Sequence, residues 1–138
     1  VTSGQINWQS ASAFDGPGES PGFTLWRDFM RWQRGLNAKL RPHGLTQPQF
    51  AILAVCGWLG RDGHHTTQQD VATFLGLDRM LVSQIASRLE RQGLIDRQVS
   101  SGDQRAKCIT LTRQGTTVLE RALPVVESFD AAFFRDGT

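Results

Sequence analysis

The chain has 138 residues, 39% of them hydrophobic and 20% charged, with two cysteines and a formal net charge of +2. That length supports one domain with its own core, so no disulfide framework is needed, and the two cysteines (Cys56 and Cys108) point to a reducing, cytosolic setting. No run reaches the roughly eighteen apolar residues that cross a bilayer, and no basic region followed by an apolar core opens the chain, so neither a membrane span nor a secretory signal is expected.

Residues 1–22 are rich in Ser, Gly, Ala and Gln and carry two acids and no base. They read as an arm, with Trp8 and Phe14 as apolar anchors on the body or on a second subunit. A first helix is expected over Phe23–Leu40, stopped by Pro42. Trp26, Phe29, Met30, Gln33, Leu36 and Leu40 recur at helical spacing. Leu25 and Trp32 widen the stripe, which suggests burial on more than one side. A second helix over Thr46–Leu59 opens on a capping box of Thr46 with Gln49, and Leu45 and Phe50 take the staple positions. Pro48 falls in its first turn, where a missing N–H costs little. This helix is apolar nearly all round and is the expected centre of the core.

Thr67–Leu75 reads as a short helix capped by Thr67 with Asp70 and closed by Gly76. Asp78 caps the next one, so Gly76-Leu77-Asp78 joins two short helices in the manner of a helix-turn-helix. In the second helix Val82, Ile85, Ala86 and Leu89 point inward. Arg79, Met80, Leu81, Ser83, Gln84, Ser87, Arg88 and Arg91 remain outside. Glutamine can pair with adenine, arginine with guanine, and apolar atoms with the thymine methyl. Between Arg79 and Arg113 lie seven bases and three acids, a surplus of four against two for the whole chain. The charge is thus concentrated where a polyanion would be met. Gly93 ends the helix. Ile95–Val99 and Lys107–Leu111 then read as hairpin strands with Ile109 and Leu111 facing in. The connection carries Asp103, Arg105 and Lys107, a set suited to phosphates or a minor groove, with Asp103 placed to hold Arg105. Thr112 caps a last helix running to about Phe134. Its stripe of Val118, Ala122, Val125, Val126, Phe129 and Phe133 wants a partner helix, and Pro124 lies inside it.

No Ser/His/Asp set, glycine-rich phosphate loop or carboxylate pair stands out, so an enzyme is not expected and no cofactor is implied. His64 and His65 are adjacent, which is poor chelating geometry, and no metal is assigned to them or to His43. Cys56 reads as a small buried hydrophobe. The aromatics Trp26, Trp32, Phe50 and Trp58 read as core before they read as a ligand box.

The order of helices, helix-turn-helix, hairpin and long helix resembles the MarR family of winged-helix transcriptional regulators over about residues 23–134. The resemblance is carried by LTQPQF (45–50), TTQQDVATFLGLD (66–78), SRLERQGLIDR (87–97) and GDQRAKCITLTRQG (102–115). It implies a mainly α fold with a small β-hairpin wing (α+β), a winged helix-turn-helix with a helical dimerisation region. It divides the chain into an arm (1–22), a first dimerisation helix and loop (23–44), a DNA-binding lobe (45–111) and a C-terminal dimerisation helix (112–138). It implies a cytoplasmic homodimeric repressor that binds double-stranded DNA at a pseudo-palindromic operator and is released by a small aromatic or phenolic effector. Carried over by position, Leu81, Ser83, Gln84, Ser87 and Arg88 sit in the major groove, and Arg105 is the wing-tip arginine paired with Asp103. Thr67, Gln68, Arg79 and Lys107 complete the DNA-facing set. The effector junction is lined by Trp26, Met30, His43, Phe50 and Trp58. The family's peroxide sensors carry a reactive cysteine in the first helix, and residues 23–41 hold none.

Two departures from the family pattern stand out. Met80 and Leu81 occupy positions where small polar residues are usual. The family's further dimerisation helix is not in this sequence, and Trp8 and Phe14 of the arm are expected to help complete the dimer in its place. The competing reading is a winged-helix dimerisation or small-molecule-binding module that does not bind DNA.

Overall fold

A computed structural model describes residues 4–99 and 107–135, with Val99 and Lys107 given by their backbone alone. The chain order is α1 (Trp8–Ala11), α2 (Pro21–Leu40), α3 (Gln47–Leu59), α4 (Gln68–Leu75), α5 (Arg79–Arg91), β1 (Ile95–Val99), β2 (Lys107–Leu111) and α6 (Arg113–Arg135). Short 3-10 turns occupy Pro17–Glu19, Arg41–His43 and Arg61–Gly63. The fold is mainly α with one antiparallel hairpin, the class expected from the sequence.

Local chemistry explains where the helices begin. At α3, Thr46 Oγ1 accepts from Gln49 N (3.3 Å) and Gln49 Oε1 accepts from Thr46 N (3.0 Å). At α4, Thr67 Oγ1 accepts from Asp70 N (3.1 Å) and Asp70 Oδ2 from Thr67 N (2.9 Å). Each box satisfies two donors that the first turn would otherwise leave orphaned. α2 starts at Pro21, two residues before Phe23. Proline's fixed φ suits the first helical position, so the ring extends the helix rather than delaying it.

The hairpin pairs Ile95 with Leu111 and Arg97 with Ile109. A third segment joins it, because Ile109 N donates to Thr66 O (2.7 Å) and Thr67 bridges Cys108. The start of α4 is therefore stitched to β2. One core runs through the body, with Leu36 and Leu40 of α2, Ile52 and Leu53 of α3, Val71 of α4, and Val82 and Leu89 of α5. Leu94, Ile95 and Ile109 extend it into the hairpin, and Leu119, Ala122 and Val126 of α6 close it. Further along, α2 and α6 touch through Gly35 and Phe129, and Trp32 Nε1 donates to Asp130 Oδ1 (2.8 Å).

The apolar residues of α2 and of the arm divide between buried and exposed positions. Of the α2 stripe, Leu36 and Leu40 are buried, whereas Trp26, Phe29, Met30 and Leu25 are exposed. From Arg31 onward α2 meets α6 and α3, and its first half leaves these side chains open. In the arm, Asn7 caps α1 by accepting from Ser10 N (3.3 Å), and Trp8 and Phe14 stay nearly half exposed.

Candidate nucleic-acid interface

α4 ends on Gly76 in the left-handed region (φ 69°), where Leu77 N donates back to Ala72 O (2.9 Å). Asp78 Oδ1 then accepts from Met80 N (3.2 Å) and starts α5 in a new direction. Helical spacing divides α5 into three stripes. Val82, Ala86 and Leu89 are buried against α3 and α4. Ser83, Ser87 and Glu90 turn toward the hairpin, where Arg97 meets all three. Leu81, Gln84, Arg88 and Arg91, at intervals of three, four and three, are exposed.

The exposed stripe is chemically fit for a duplex. Gln84 and Arg88 offer the two side chains best suited to adenine and guanine edges, and Leu81 offers apolar contact. Arg88 and Arg91 are like charges three residues apart, a repulsion that a phosphate would relieve. Arg91 belongs to this surface although it was not among the expected contacts; its spacing from Arg88 was the available signal. The end of α5 is fixed to the body, since Gln92 Nε2 donates to Gly44 O (2.9 Å) and Gln49 Nε2 donates to Gln92 Oε1 (3.3 Å).

The hairpin side of α5 is organised by Arg97, which the sequence did not single out. Its Nε and Nη2 donate to Glu90 Oε1 (3.1 and 2.9 Å), and Nη2 also donates to Ser87 Oγ (2.8 Å). Its Nη1 donates to Gln68 Oε1 (3.0 Å) and, at 3.4 Å, to the Ser83 carbonyl and hydroxyl oxygens. This network engages part of the expected contact set within the chain. Gln68 is 8% exposed and holds Arg97, so it faces the interior. Ser83 and Ser87 are half-buried and engaged by the same guanidinium. Thr67 is half-buried and its hydroxyl serves the α4 cap. Arg79 is exposed at the first position of α5. Asp103, Arg105 and the Lys107 side chain lie outside the described residues.

The five residues expected around an effector do not converge within the chain. Trp58 lines a largely apolar cleft of about 840 Å³ with Val55, Phe74, Ile109, Leu119 and Leu123, and with His64 and His65 at its polar side. Arg61 stacks 3.5 Å from the centre of the Trp58 ring and donates to its carbonyl (2.6 Å). Trp26 and Met30 instead line a polar cleft of about 500 Å³ beside Arg27, Arg31 and Arg34. His43 and Phe50 line neither. The reason is distance along α2: Trp26 precedes Leu40 by fourteen residues, about 21 Å of helix. Trp26 and Trp58 are exposed, whereas Trp32 is half-buried, packs against the core and bonds Asp130 through its indole.

Among the described residues no group of His, Cys, Asp and Glu is placed to hold a metal, and no helix is long and apolar enough to cross a membrane. Cys56 is buried, and burial pushes its thiol from the usual 9.0 up to about 12. Unfolding restores ordinary acidity, so the unfolded state loses its proton first and stability falls as pH rises from 9.0 toward 12. Cys56→Ala is expected to flatten that limb of the stability profile in urea titrations. A limb equally steep without Cys56 would assign it to other groups.

A helix-turn-helix that presents a bare Gln/Arg stripe, with a hairpin locked to its flank, defines a winged helix-turn-helix DNA-binding protein. The MarR family model matches residues 43–106. The uncharacterized HTH-type transcriptional regulator YdcH of Bacillus subtilis is 38% identical over 129 residues, covering 94% of this chain and 86% of that one. The transcriptional regulator HosA of Escherichia coli is 32% identical over 104 residues, 75% of this chain and 69% of that one. Among solved structures, the Mycobacterium tuberculosis transcriptional regulator MosR in complex with DNA superposes with a TM-score of 0.75 at 27% identity, over 86% of this chain and 84% of that one. CouR from Rhodococcus jostii, bound to p-coumaroyl-CoA, shares the fold with a TM-score of 0.74 at 24% identity, over 88% and 82%. The chain belongs to the MarR family of transcriptional regulators.

Proposed function

We propose that two copies of this chain pair through α2 and α6 and read a pseudo-palindromic operator, each inserting α5 in the major groove and the wing beside it. The observation that carries this reading is the exposed stripe Leu81, Gln84, Arg88 and Arg91 on a helix whose other two sides are engaged. Arg79 adds charge at the start of α5, and Arg105, steadied by Asp103, with Lys107 supplies the wing's backbone contacts. Residues 45–111 then act as the DNA-binding lobe, and 23–44 with 112–138 as the dimerisation region. Such a regulator works in the cytoplasm, as a repressor whose operator affinity an effector lowers.

The effector we assign to the cleft beside Trp58 is a small aromatic acid or its conjugate. Its apolar walls suit a ring, and His64, His65 and Arg61 suit an anionic end. MosR is described in complex with DNA and CouR bound to p-coumaroyl-CoA, which gives precedents for both halves of the proposal. Titration with aromatic acids should quench tryptophan fluorescence in the wild type and not in Trp58→Phe; quenching that survives there places the ligand elsewhere.

Selection of bound duplexes from a random pool is the direct test. It should return two half-sites about one helical turn apart. Gln84→Ala is expected to change the selected sequence at one position per half-site. Arg105→Ala should weaken all duplexes alike and lower the salt slope by about two, one for each wing of the dimer. A pool that yields no enriched duplex, with binding insensitive to salt, favours the competing module that holds a small molecule without reading DNA.

A further inference from the structure

We propose that Arg97 is a positioning residue for DNA reading: it sets the wing against α5 and withdraws Ser83 and Ser87 from direct base contact. This rests on the DNA-reading proposal above and adds to it which polar residues read and which hold. An arginine that serves a phosphate should stand open to solvent and free of acids. The Arg97 side chain is 13% exposed and paired with Glu90 at 2.9 Å. It stands on β1 and reaches both helices of the helix-turn-helix, Gln68 on α4 and Ser83, Ser87 and Glu90 on α5.

The guanidinium is the part that makes this possible. Its planar fork directs several N–H bonds at fixed angles, so bonds from β1 to α4 and α5 hold the relative orientation of the three elements. Burial makes each bond stiffer, since a partner left alone in that site would be unsatisfied. Arg97 precedes by three residues the segment 100–106 that carries Asp103 and Arg105. A tilt of β1 relative to α5 therefore changes the register between wing and recognition helix on a duplex. Ser83 and Ser87 act through Arg97, and sequence discrimination falls to Leu81, Gln84 and Arg88.

The test uses the intact chain, the duplex recovered from the random pool, and a scrambled duplex of the same composition. Arg97→Ala and Arg97→Lys are expected to weaken the selected duplex about tenfold or more while the scrambled duplex changes less than about twofold. The slope of log K against log salt should not change, because Arg97 contacts no phosphate. Lysine keeps the charge but not the fork, so it should not rescue. On the selected duplex, Ser87→Ala should add little to the loss already caused by Arg97→Lys. Circular dichroism separates these effects from unfolding. If Arg97→Ala does not fold, Arg97→Lys and Ser87→Ala carry the same test. Equal weakening of both duplexes with a shallower slope, additive losses in the cycle, or unchanged affinity in both Arg97 variants would each overturn the role given to Arg97. A wild type that selects no duplex overturns the DNA reading itself, and this proposal with it.

Discussion

Gly115→Ala is expected to destabilise the fold by about 3 kcal/mol or more, lowering the melting temperature by roughly 10 °C. Gly115 lies in the first turn of α6, where the helix comes down on the turn between α5 and β1. A methyl group there would collide with the Leu94 carbonyl oxygen and stand 2.9 Å from its carbon. The obstacle is backbone and cannot rotate aside. It is also held from several directions. Leu94 O accepts from Thr112 N (3.1 Å), Leu94 N donates to Leu89 O (3.0 Å), and the Thr112 hydroxyl bridges Gly93 O (2.6 Å) and Gly115 N (2.9 Å). Relief requires lifting α6, which exposes Leu119, Ala122 and Val126, or displacing β1 with Arg97 on it.

Gly57→Ala supplies the contrast. Its new methyl would meet Leu119 Cδ2 at 2.9 Å and Leu111 Cδ1 at 3.3 Å, both ends of side chains that can turn. Alanine also gains about 1 kcal/mol of helix propensity over glycine, so the net change there should be small. Urea or thermal unfolding of the two variants checks the ranking. Near-equal stabilities would mean that α6 does not rest on the Leu94 carbonyl.

The contrast between these glycines and the rest of the site shows what a linear reading can reach. The capping boxes were legible because their partners lie three residues apart: Thr46 with Gln49, and Thr67 with Asp70. Strand limits and the buried face of α5 were legible because period two and period 3.6 separate inward from outward. Period does not say which outward neighbour a residue meets. Ser83 and Gln84 are both polar and both off the buried face. One meets Arg97, from a strand fourteen positions away, and the other meets solvent. Gln68 meets the same guanidinium, from a partner 29 positions on. The aromatic residues are a different case. Counting tryptophans gives no distances, and Trp26 and Trp58 belong to separate helices that hold them on separate clefts.

Placing charge on the exposed half of α2 should abolish tight operator binding without unfolding the chain. Leu25 is 71% and Trp26 65% exposed, and Phe23, Phe29 and Met30 are exposed beside them. Monomeric proteins seldom leave contiguous apolar surface of that kind open. Leu36 and Leu40 hold α2 to the body, so Trp26→Glu with Phe29→Glu touches none of the buried core. Burying two carboxylates against a second copy, by contrast, costs several kcal/mol, enough to dissolve a dimer. Two linked half-sites bind as one because the second contact is intramolecular, and losing that linkage lowers affinity by about 10²-fold or more. The double variant should therefore sediment as a monomer, keep its circular dichroism, bind a half-site duplex as the wild type does, and lose about two orders of magnitude on the full operator. A monomer with wild-type operator affinity would show that pairing through α2 and α6 plays no part in reading DNA. An unchanged dimer would place the interface elsewhere, and the exposed anchors Trp8 and Phe14 of the arm would be the next surface to charge.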